Sequence, residues 1–207
     1  MQYHLGTAVS SQAYVNQGDD YITAGAATSS TLSGGAGNDS ITGSSETGVG
    51  IYVGAEGEIK AGAGNDTVDA LIGGFAGSSS GGGTISLGAD NDTLIGDGFG
   101  SGITFDGDGF LGEGEVAGTE DKIVLDDGFY AYTPIGESAT LTDGSGIMEI
   151  KNFELISGIN GTINQFDNES QTGEADLVSG NYEVVNGFLK VEVSVQGAAL
   201  RRGFFSD

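Results

Sequence analysis

The chain contains no cysteine, no tryptophan, one proline and one histidine among its 207 residues. The absence of cysteine excludes disulfide bridges and thiolate metal sites. A lone histidine, His4, cannot build a histidine-rich metal site, and no sequence pattern pairs it with a nucleophile and an acid. We find no other catalytic constellation in the sequence. The sequence therefore predicts a protein that is not an enzyme.

Basic residues are also scarce, because six Lys and Arg face thirty Asp and Glu and give a net charge of −24. Phosphate binding needs a basic surface, so nucleic acid is excluded as a partner and anionic membrane surfaces are disfavoured. So large a charge of one sign destabilises a compact state through self-repulsion. Bound divalent cations would relieve that repulsion.

Long apolar runs are missing as well. No stretch approaches the roughly 20 apolar residues of a membrane-spanning helix, so we expect no membrane insertion. The first fifteen residues, MQYHLGTAVSSQAYV, lack the basic start and the long apolar core of a secretory signal. Any export would then proceed without an N-terminal signal peptide.

Glycine, in contrast, is abundant, with 40 residues, and much of it stands in a recurring turn motif. GGAGNDSIT (34–42) returns as AGAGNDTVD (61–69) and LGADNDTLI (87–95), with a weaker copy, VNQGDDYIT, at 15–23. Glycine tolerates the positive φ and the close backbone approach of such turns. Each copy places an aspartate, a source of the hard oxygen that calcium prefers, two residues before an aliphatic side chain. These aspartates are Asp20, Asp39, Asp66 and Asp92.

A second aliphatic residue stands nine positions before the first in three of the copies, as in Leu32 and Ile41. Each motif therefore predicts a short strand, a glycine turn and another short strand. The long spacing between successive aspartates predicts one ladder of stacked turns, with the opposite side enlarged into loops at 42–57 and 70–83. A three-sided parallel β-helix also suits this spacing.

The motif resembles the calcium-binding nonapeptide of the RTX family, G-G-x-G-x-D-x-U-x. Residues 34–42 fill every fixed position, whereas Ala61, Leu87 and Asp90 replace glycines in the later copies, and the resemblance covers roughly residues 12–105. It implies a parallel β-roll with Ca²⁺ between successive turns, bound by carboxylates and backbone carbonyls. The metal-site residues that it implies are Asp20, Asp39, Asp66, Asp92, Gly35, Gly37, Gly62, Gly64 and Asp90.

Stacked strands lie about 4.8 Å apart. Two carboxylates at that distance repel by about 1 kcal/mol in water and by about 3–4 kcal/mol at an effective dielectric constant of 20. An aspartate column is therefore destabilising without a cation between its turns. The alternative is a purely structural ladder in which Asn38, Asn65 and Asn91 make the hydrogen bonds and the aspartates face solvent.

Beyond residue 115 glycine becomes rarer and longer strands are predicted at 122–125, 129–133 and 147–156. We therefore predict two regions, a β-solenoid repeat region at 1–115 and a β-rich cap or docking region at 116–207. Phe153, Glu154, Ile156 and Gly158 resemble the apolar-Glu-x-apolar-x-Gly segment before a degenerate repeat in RTX proteins such as the C-terminal domain of serralysin. The aspartate of that repeat is missing, so the resemblance implies no calcium ligand there.

Two further features belong to these regions. In the acidic segment 96–115, a second cation could bind, although a solvated loop is the simpler interpretation; its acids are Asp97, Asp106, Asp108, Glu113 and Glu115. Asn186-Gly187 stands between two β-rich runs within 182–195 and predicts a type I′ hairpin. The tail Arg201–Asp207 is basic and aromatic, and it predicts either a docking peptide or part of an export signal.

The predicted fold is all-β, a parallel β-solenoid (β-roll or right-handed β-helix) with a C-terminal β-rich cap that contains an antiparallel hairpin. The predicted function is that of a calcium-stabilised structural or adhesive protein in an extracellular, cell-surface or particle-surface assembly. It would form a homo-oligomer or lattice, with capsid or cell-surface proteins as partners. RTX-like proteins typically leave the cell by type I export, which fits the N-terminus. The alternatives are a virion surface protein, such as a capsid decoration or fibre component, and a polysaccharide-binding or polysaccharide-modifying module.

Overall fold

The computed structural model describes residues 2–9, 12–28, 31–43, 50–78, 82–109, 116–136, 138–164, 170–171, 175–176 and 179–191. Every regular secondary-structure element within these residues is a β-strand, and most of the strand pairs are parallel. The strands are β1 (Gln2–Val9), β2 (Gln12–Tyr14), β3 (Tyr21–Thr28), β4 (Thr31–Ala36), β5 (Ser40–Gly43), β6 (Ile51–Val53), β7 (Glu58–Ala63), β8 (Thr67–Asp69), β9 (Phe75–Gly77), β10 (Thr84–Ala89), β11 (Thr93–Ile95), β12 (Thr104–Asp106), β13 (Lys122–Leu125), β14 (Gly128–Ile135), β15 (Ser138–Thr142), β16 (Ile147–Lys151), β17 (Leu155–Gly158), β18 (Gly161–Asn164), β19 (Ser170–Gln171), β20 (Ala175–Asp176), β21 (Gly180–Val185) and β22 (Phe188–Val191).

One set of parallel strands, the first column, consists of β2, β4, β7, β10, β12 and β16, each paired with the next. The register places one apolar residue of each strand beside its counterpart in the next. From Leu32 onwards these residues are buried, so the column contributes a continuous line of side chains to the core. The stacked residues are Ala13, Leu32, Ile59, Ile85, Phe105 and Ile150.

A second column of parallel strands consists of β1, β3, β5, β8, β11, β13 and β17. It repeats the arrangement of the first column. The aliphatic residue two positions after each turn aspartate pairs with the equivalent aliphatic residue of the next strand. These side chains are fully buried, as the alternation in the sequence indicates. They are Ile22, Ile41, Val68, Leu94, Ile123 and Ile156.

A third, shorter column lies in the segments that the sequence predicted as loops. The end of β3 pairs in parallel with β6, and β6 pairs in parallel with β9. Ile51, Val53 and Phe75 from these strands are buried, and the Phe75 ring packs edge-on against Phe105 at 5.1 Å between centroids. The prediction of loops at 42–57 and 70–83 is therefore wrong at β6 and β9, which contribute to the core.

The C-terminal part of the described chain adds antiparallel strands. β15 lies between β14 and β16, and β14 also pairs with β21, which pairs with β22. The hairpin predicted at Asn186-Gly187 is present, and both residues have the positive φ of a type I′ turn, 54° and 76°. Residues 192–207, with the rest of the predicted hairpin and the tail, lie outside the described residues.

The predicted single strand at 147–156 is wrong, because the structure divides it into β16 and β17. The break includes Asn152, whose φ is 53°, and it moves the chain from the first column to the second. The region boundary at 115/116 stays a prediction, and parallel pairing continues past it from β11 to β13. In the described ranges, no helix is long and apolar enough to cross a membrane.

Close stacking of the turns gives the first testable prediction. Gly62 has a φ of +132°, and a Cβ there would overlap the carbonyl oxygen of Gly35 in the neighbouring strand. Gly18 has a similar φ, +103°, with nothing within 4 Å of an added Cβ. We expect Gly18→Ala to lower the free energy of unfolding by about 1 kcal/mol. Gly62→Ala should lower it by about 2–4 kcal/mol, because the overlap adds to the backbone strain. Urea unfolding measures the free energy of unfolding of both variants. Equal losses in the two variants would contradict the close approach of Gly62 to Gly35.

Candidate metal centre

The turns between the first and second columns bring the four predicted aspartates together. Because the strands on both sides of each turn pair without a shift in register, Asp20, Asp39, Asp66 and Asp92 occupy equivalent positions in successive turns. All four are buried, with 7% of Asp20 and at most 2% of the others exposed. Asp121, fully buried before β13, takes the next position. We call these five residues the aspartate ladder.

Each carboxylate of the ladder, from Asp39 onwards, accepts a hydrogen bond from the backbone of the preceding aspartate. Asp39 Oδ1 accepts from the Asp20 N–H at 2.9 Å, and Asp66 Oδ1 accepts from the Asp39 N–H at 2.7 Å. The next two steps continue to Asp121, at 2.7 and 2.8 Å. Glu154 Oε2 then accepts from the Asp121 N–H at 2.9 Å. One oxygen of each acid therefore joins two neighbouring turns.

A second ladder, made by asparagines, runs beside the first in the opposite direction. Asn38 Oδ1 accepts from the N–H of Asn65 at 2.9 Å, and Asn65 Oδ1 accepts from the N–H of Asn91 at 3.0 Å. Asn91 Oδ1 accepts from the Thr119 N–H at 3.1 Å. The asparagines thus make the bonds expected in the purely structural alternative. The other part of that alternative, in which the aspartates face solvent, is wrong, because the aspartates are buried.

The second carboxylate oxygen of the buried acids distinguishes the aspartate ladder from the asparagine ladder. Oδ2 is buried and has no hydrogen-bond partner in the described residues in Asp39, Asp66, Asp92 and Asp121. A buried acceptor without a partner carries a desolvation penalty, and a buried charge carries a larger one. The ladder therefore needs a proton or a cation at these oxygens.

Backbone oxygens lie close to the unpartnered carboxylates at two levels of the ladder. A Cβ added to Gly34 would meet both Asp39 Oδ2 and the Ala61 carbonyl oxygen. At Gly118 it would meet the Asp90 carbonyl oxygen and lie 2.7 Å from Asp121 Oδ2. Carboxylate and carbonyl oxygens are the ligands that calcium prefers, so the donor set fits this ion.

The remaining predicted ligands line the same turns. Gly35, Gly37, Gly62 and Gly64 all have positive φ, between 109° and 132°. Asp90 replaces the glycine of the third copy at a φ of 75°, and its side chain is exposed. No group of three or more Asp, Glu, His or Cys side chains suited to a metal occurs in the described part of the chain. A cation on this ladder would therefore need backbone oxygens as ligands.

Burial controls the ionisation of the ladder. Desolvation raises the pKa of Asp66 to about 7, of Asp92 to about 9 and of Asp121 to about 7, and it also raises the pKa of Asp39. Neighbouring carboxylates of the ladder raise the pKa of Asp66 and Asp92 further, while the backbone N–H donors lower it. The carboxylates are thus held close together in an environment that disfavours their charge.

The sequence patterns did not identify Asp121, and they placed Glu154 only in a segment that resembles a degenerate repeat without a calcium ligand. Neither matches the repeat, because none of the repeat's three fixed glycine positions before either acid holds a glycine. Each does stand two residues before a buried aliphatic side chain, Ile123 or Ile156, as the repeat aspartates do. That shorter pattern is the signal that could have identified them.

Part of the acidic segment 96–115 lies beside the end of the ladder, because the charges of Asp108 and Asp106 add to desolvation in raising the pKa of Asp121. Asp106 accepts from Lys151 Nζ at 3.2 Å and from Asn152 Nδ2 at 2.7 Å, and Asp108 Oδ1 accepts from the Gly118 N–H at 2.5 Å. Glu113 and Glu115 lie outside the described residues. The described acids at 106 and 108 therefore bond to neighbouring protein groups.

Comparison with known proteins adds no assignment to this geometry. No family model matches the chain, and no curated protein matches its sequence.

The raised pKa values give a second testable prediction, for the protein in EGTA. A carboxyl whose pKa is higher in the folded than in the unfolded state stabilises the fold at low pH, and this contribution is lost as pH rises through the folded pKa. We therefore expect Tm to fall between pH 6 and pH 9, a range in which ordinary carboxylates no longer titrate. Asp92→Asn should flatten the dependence, because Asp92 has the highest of the three values. A Tm that is constant or rises over this range would contradict the prediction.

Proposed function

We propose that the chain is a non-enzymatic, calcium-stabilised β-solenoid that acts as a structural or adhesive building block of an extracellular or particle-surface assembly. The observation that carries this proposal is the line of buried Oδ2 atoms without partners in the aspartate ladder. The solenoid is supported by the parallel columns, whose strands repeat every 26 or 27 residues from β4 to β10. Both features follow from one repeated turn.

Calcium would be held by the ladder carboxylates together with backbone oxygens of the same turns. It would bring positive charge to oxygens that have no donor, in a chain whose net charge is −24. Calcium suits such a site because it accepts six to eight oxygen ligands in flexible geometry, whereas magnesium requires a near-ideal octahedron. The residues that would contribute are Asp20, Asp39, Asp66, Asp92 and Asp121, with Gly35, Gly37, Gly62, Gly64 and Asp90.

Binding free energy at such a site becomes folding free energy, because the unfolded chain does not hold its ligands together. The stacked turns would be loose where calcium is scarce, as inside cells, and fixed where it is millimolar. This coupling suits a building block that is exported before it assembles.

The deciding experiment is thermal unfolding of the full chain in EGTA and in 5 mM calcium, with magnesium as the control ion. At a free calcium concentration about 100 times Kd, binding adds about 2.7 kcal/mol to stability. For a chain of this size we expect Tm to rise by roughly 5–10 °C. Magnesium should give a much smaller rise. Equal Tm values with and without calcium would overturn the proposal and leave the ladder as a structural element.

Substitutions at Asp66 give a third prediction. Asp66→Asn keeps an oxygen for the Asp39 N–H and removes the buried charge, so we expect it to raise Tm in EGTA at pH 8 and to reduce the gain from calcium. Asp66→Ala removes the acceptor too and leaves a buried N–H unpaired, which should cost about 1–3 kcal/mol in both conditions. If Asp66→Asn kept the full calcium response, the ladder would not be the calcium site.

A further inference from the structure

A cavity of about 390 Å³ opens on the antiparallel strands of the C-terminal part. Residues of three strands line it, namely 129–131 of β14, 142–144 at the end of β15 and 181–183 of β21. None of them belongs to the aspartate ladder. The cavity is therefore separate from the proposed calcium site.

The floor and one wall of the cavity follow from the strand register. Ala131 pairs with Thr142 on one side and with Asn181 on the other, so these three residues form a row across the sheet. The small side chain of Ala131 leaves space at the centre of that row. Phe129, two residues away on β14, points to the same face and is 72% exposed. The result is a recess over Ala131 with a phenyl ring at its edge.

The charged groups around the recess already have partners. Asp143 accepts from the backbone N–H groups of Ser145 and Gly146 at 2.8 and 2.9 Å. Glu183 Oε2 lies 3.5 Å from Lys190 Nζ. An anionic ligand would therefore find no free cation among the lining residues, and the net charge of −24 would also repel it.

Two lining groups remain available for a ligand. The Phe129 ring and the exposed Asn181 side-chain amide have no side-chain partner in the described part of the chain. An amide offers both donors and acceptors, which matches the hydroxyl groups of a sugar, and a phenyl face packs against the C–H groups of a sugar ring. A mainly apolar recess with a few polar groups is typical of small-ligand sites, and its volume lies within their range.

We propose that this cavity binds a neutral saccharide, with Phe129 against the face of one sugar ring and Asn181 hydrogen-bonded to its hydroxyl groups. The site would give the proposed adhesive protein its recognition chemistry, and to that extent it rests on the proposed function. It excludes acidic glycans, because their carboxylates would meet an acidic surface without a free cation in the recess. Calcium enters only as a stabiliser of the whole chain.

The test uses the full chain in 5 mM calcium and three neutral disaccharides, cellobiose, maltose and lactose, with digalacturonate as the charged comparison. Saturation-transfer NMR detects binding, and titration of amide chemical shifts gives affinity. We expect transfer to at least one neutral disaccharide and none to digalacturonate. Absence of transfer to all three neutral sugars, or equal binding of digalacturonate, overturns the proposal.

Variants then locate the site. Phe129→Ala should weaken the affinity by about threefold to tenfold, and Asn181→Ala by a similar factor. Ile135→Ala is the matched control, because Ile135 is an exposed apolar residue of the same strand that does not line the cavity. It should leave the affinity unchanged. Unchanged affinity in Phe129→Ala, or an equal loss in Ile135→Ala, places binding elsewhere.

Asp66→Asn separates this proposal from the calcium proposal. If the variant loses the calcium response but still binds the disaccharide, both proposals stand. If the wild-type chain shows no calcium response and still binds, only the calcium proposal fails. If calcium stabilises the chain and no neutral sugar binds, only the cavity proposal fails.

Discussion

The constant register of the parallel columns is the constraint on which the rest of the structure depends. With neighbouring strands about 4.8 Å apart and no shift between them, any residue that recurs in the sequence becomes a line in space. Recurring aliphatic residues form the core, as from Ile22 to Ile156. Recurring glycines let backbones approach where a side chain would collide, as at Gly62. Recurring aspartates form a line of like charge.

The two side-chain ladders fix the position of that line of acids. Asparagine side chains bond forward to the next turn, and aspartate side chains bond back to the preceding one, so each turn is held from both sides. The same bonds place the aspartates in the interior, where desolvation and mutual repulsion oppose their charge. An amide in the aspartate position could make the same backbone bond without this penalty. The presence of acids is therefore the feature that requires a functional explanation.

Sequence reasoning predicted what is encoded locally. Aliphatic residues nine positions apart located β4, β5, β7, β8, β10 and β11 of the first two columns, and Asn186-Gly187 located a hairpin because its backbone preference matches the strand twist. It missed β6 and β9, whose three-residue runs lie among Gly and Ser and form strands through pairing with distant neighbours. Asp121 was missed because the glycines before it do not stand at the fixed positions of the repeat. The cavity depends on the pairing of β21 with β14, about 50 residues earlier in the sequence, so no local pattern could predict it.

Strand β16 belongs to two pairings at once, in parallel with β12 and antiparallel with β15. The sheet that bears the cavity is thus a continuation of the first column rather than a separate module on a flexible linker. A force applied to the cavity along the strand direction would reach the column as shear, shared by the pairs from Thr104–Glu149 to Asp106–Lys151. Shear strains all these hydrogen bonds together, whereas peeling breaks them one after another. The pairing between β12 and β16 therefore resists tension along the strands better than tension across them.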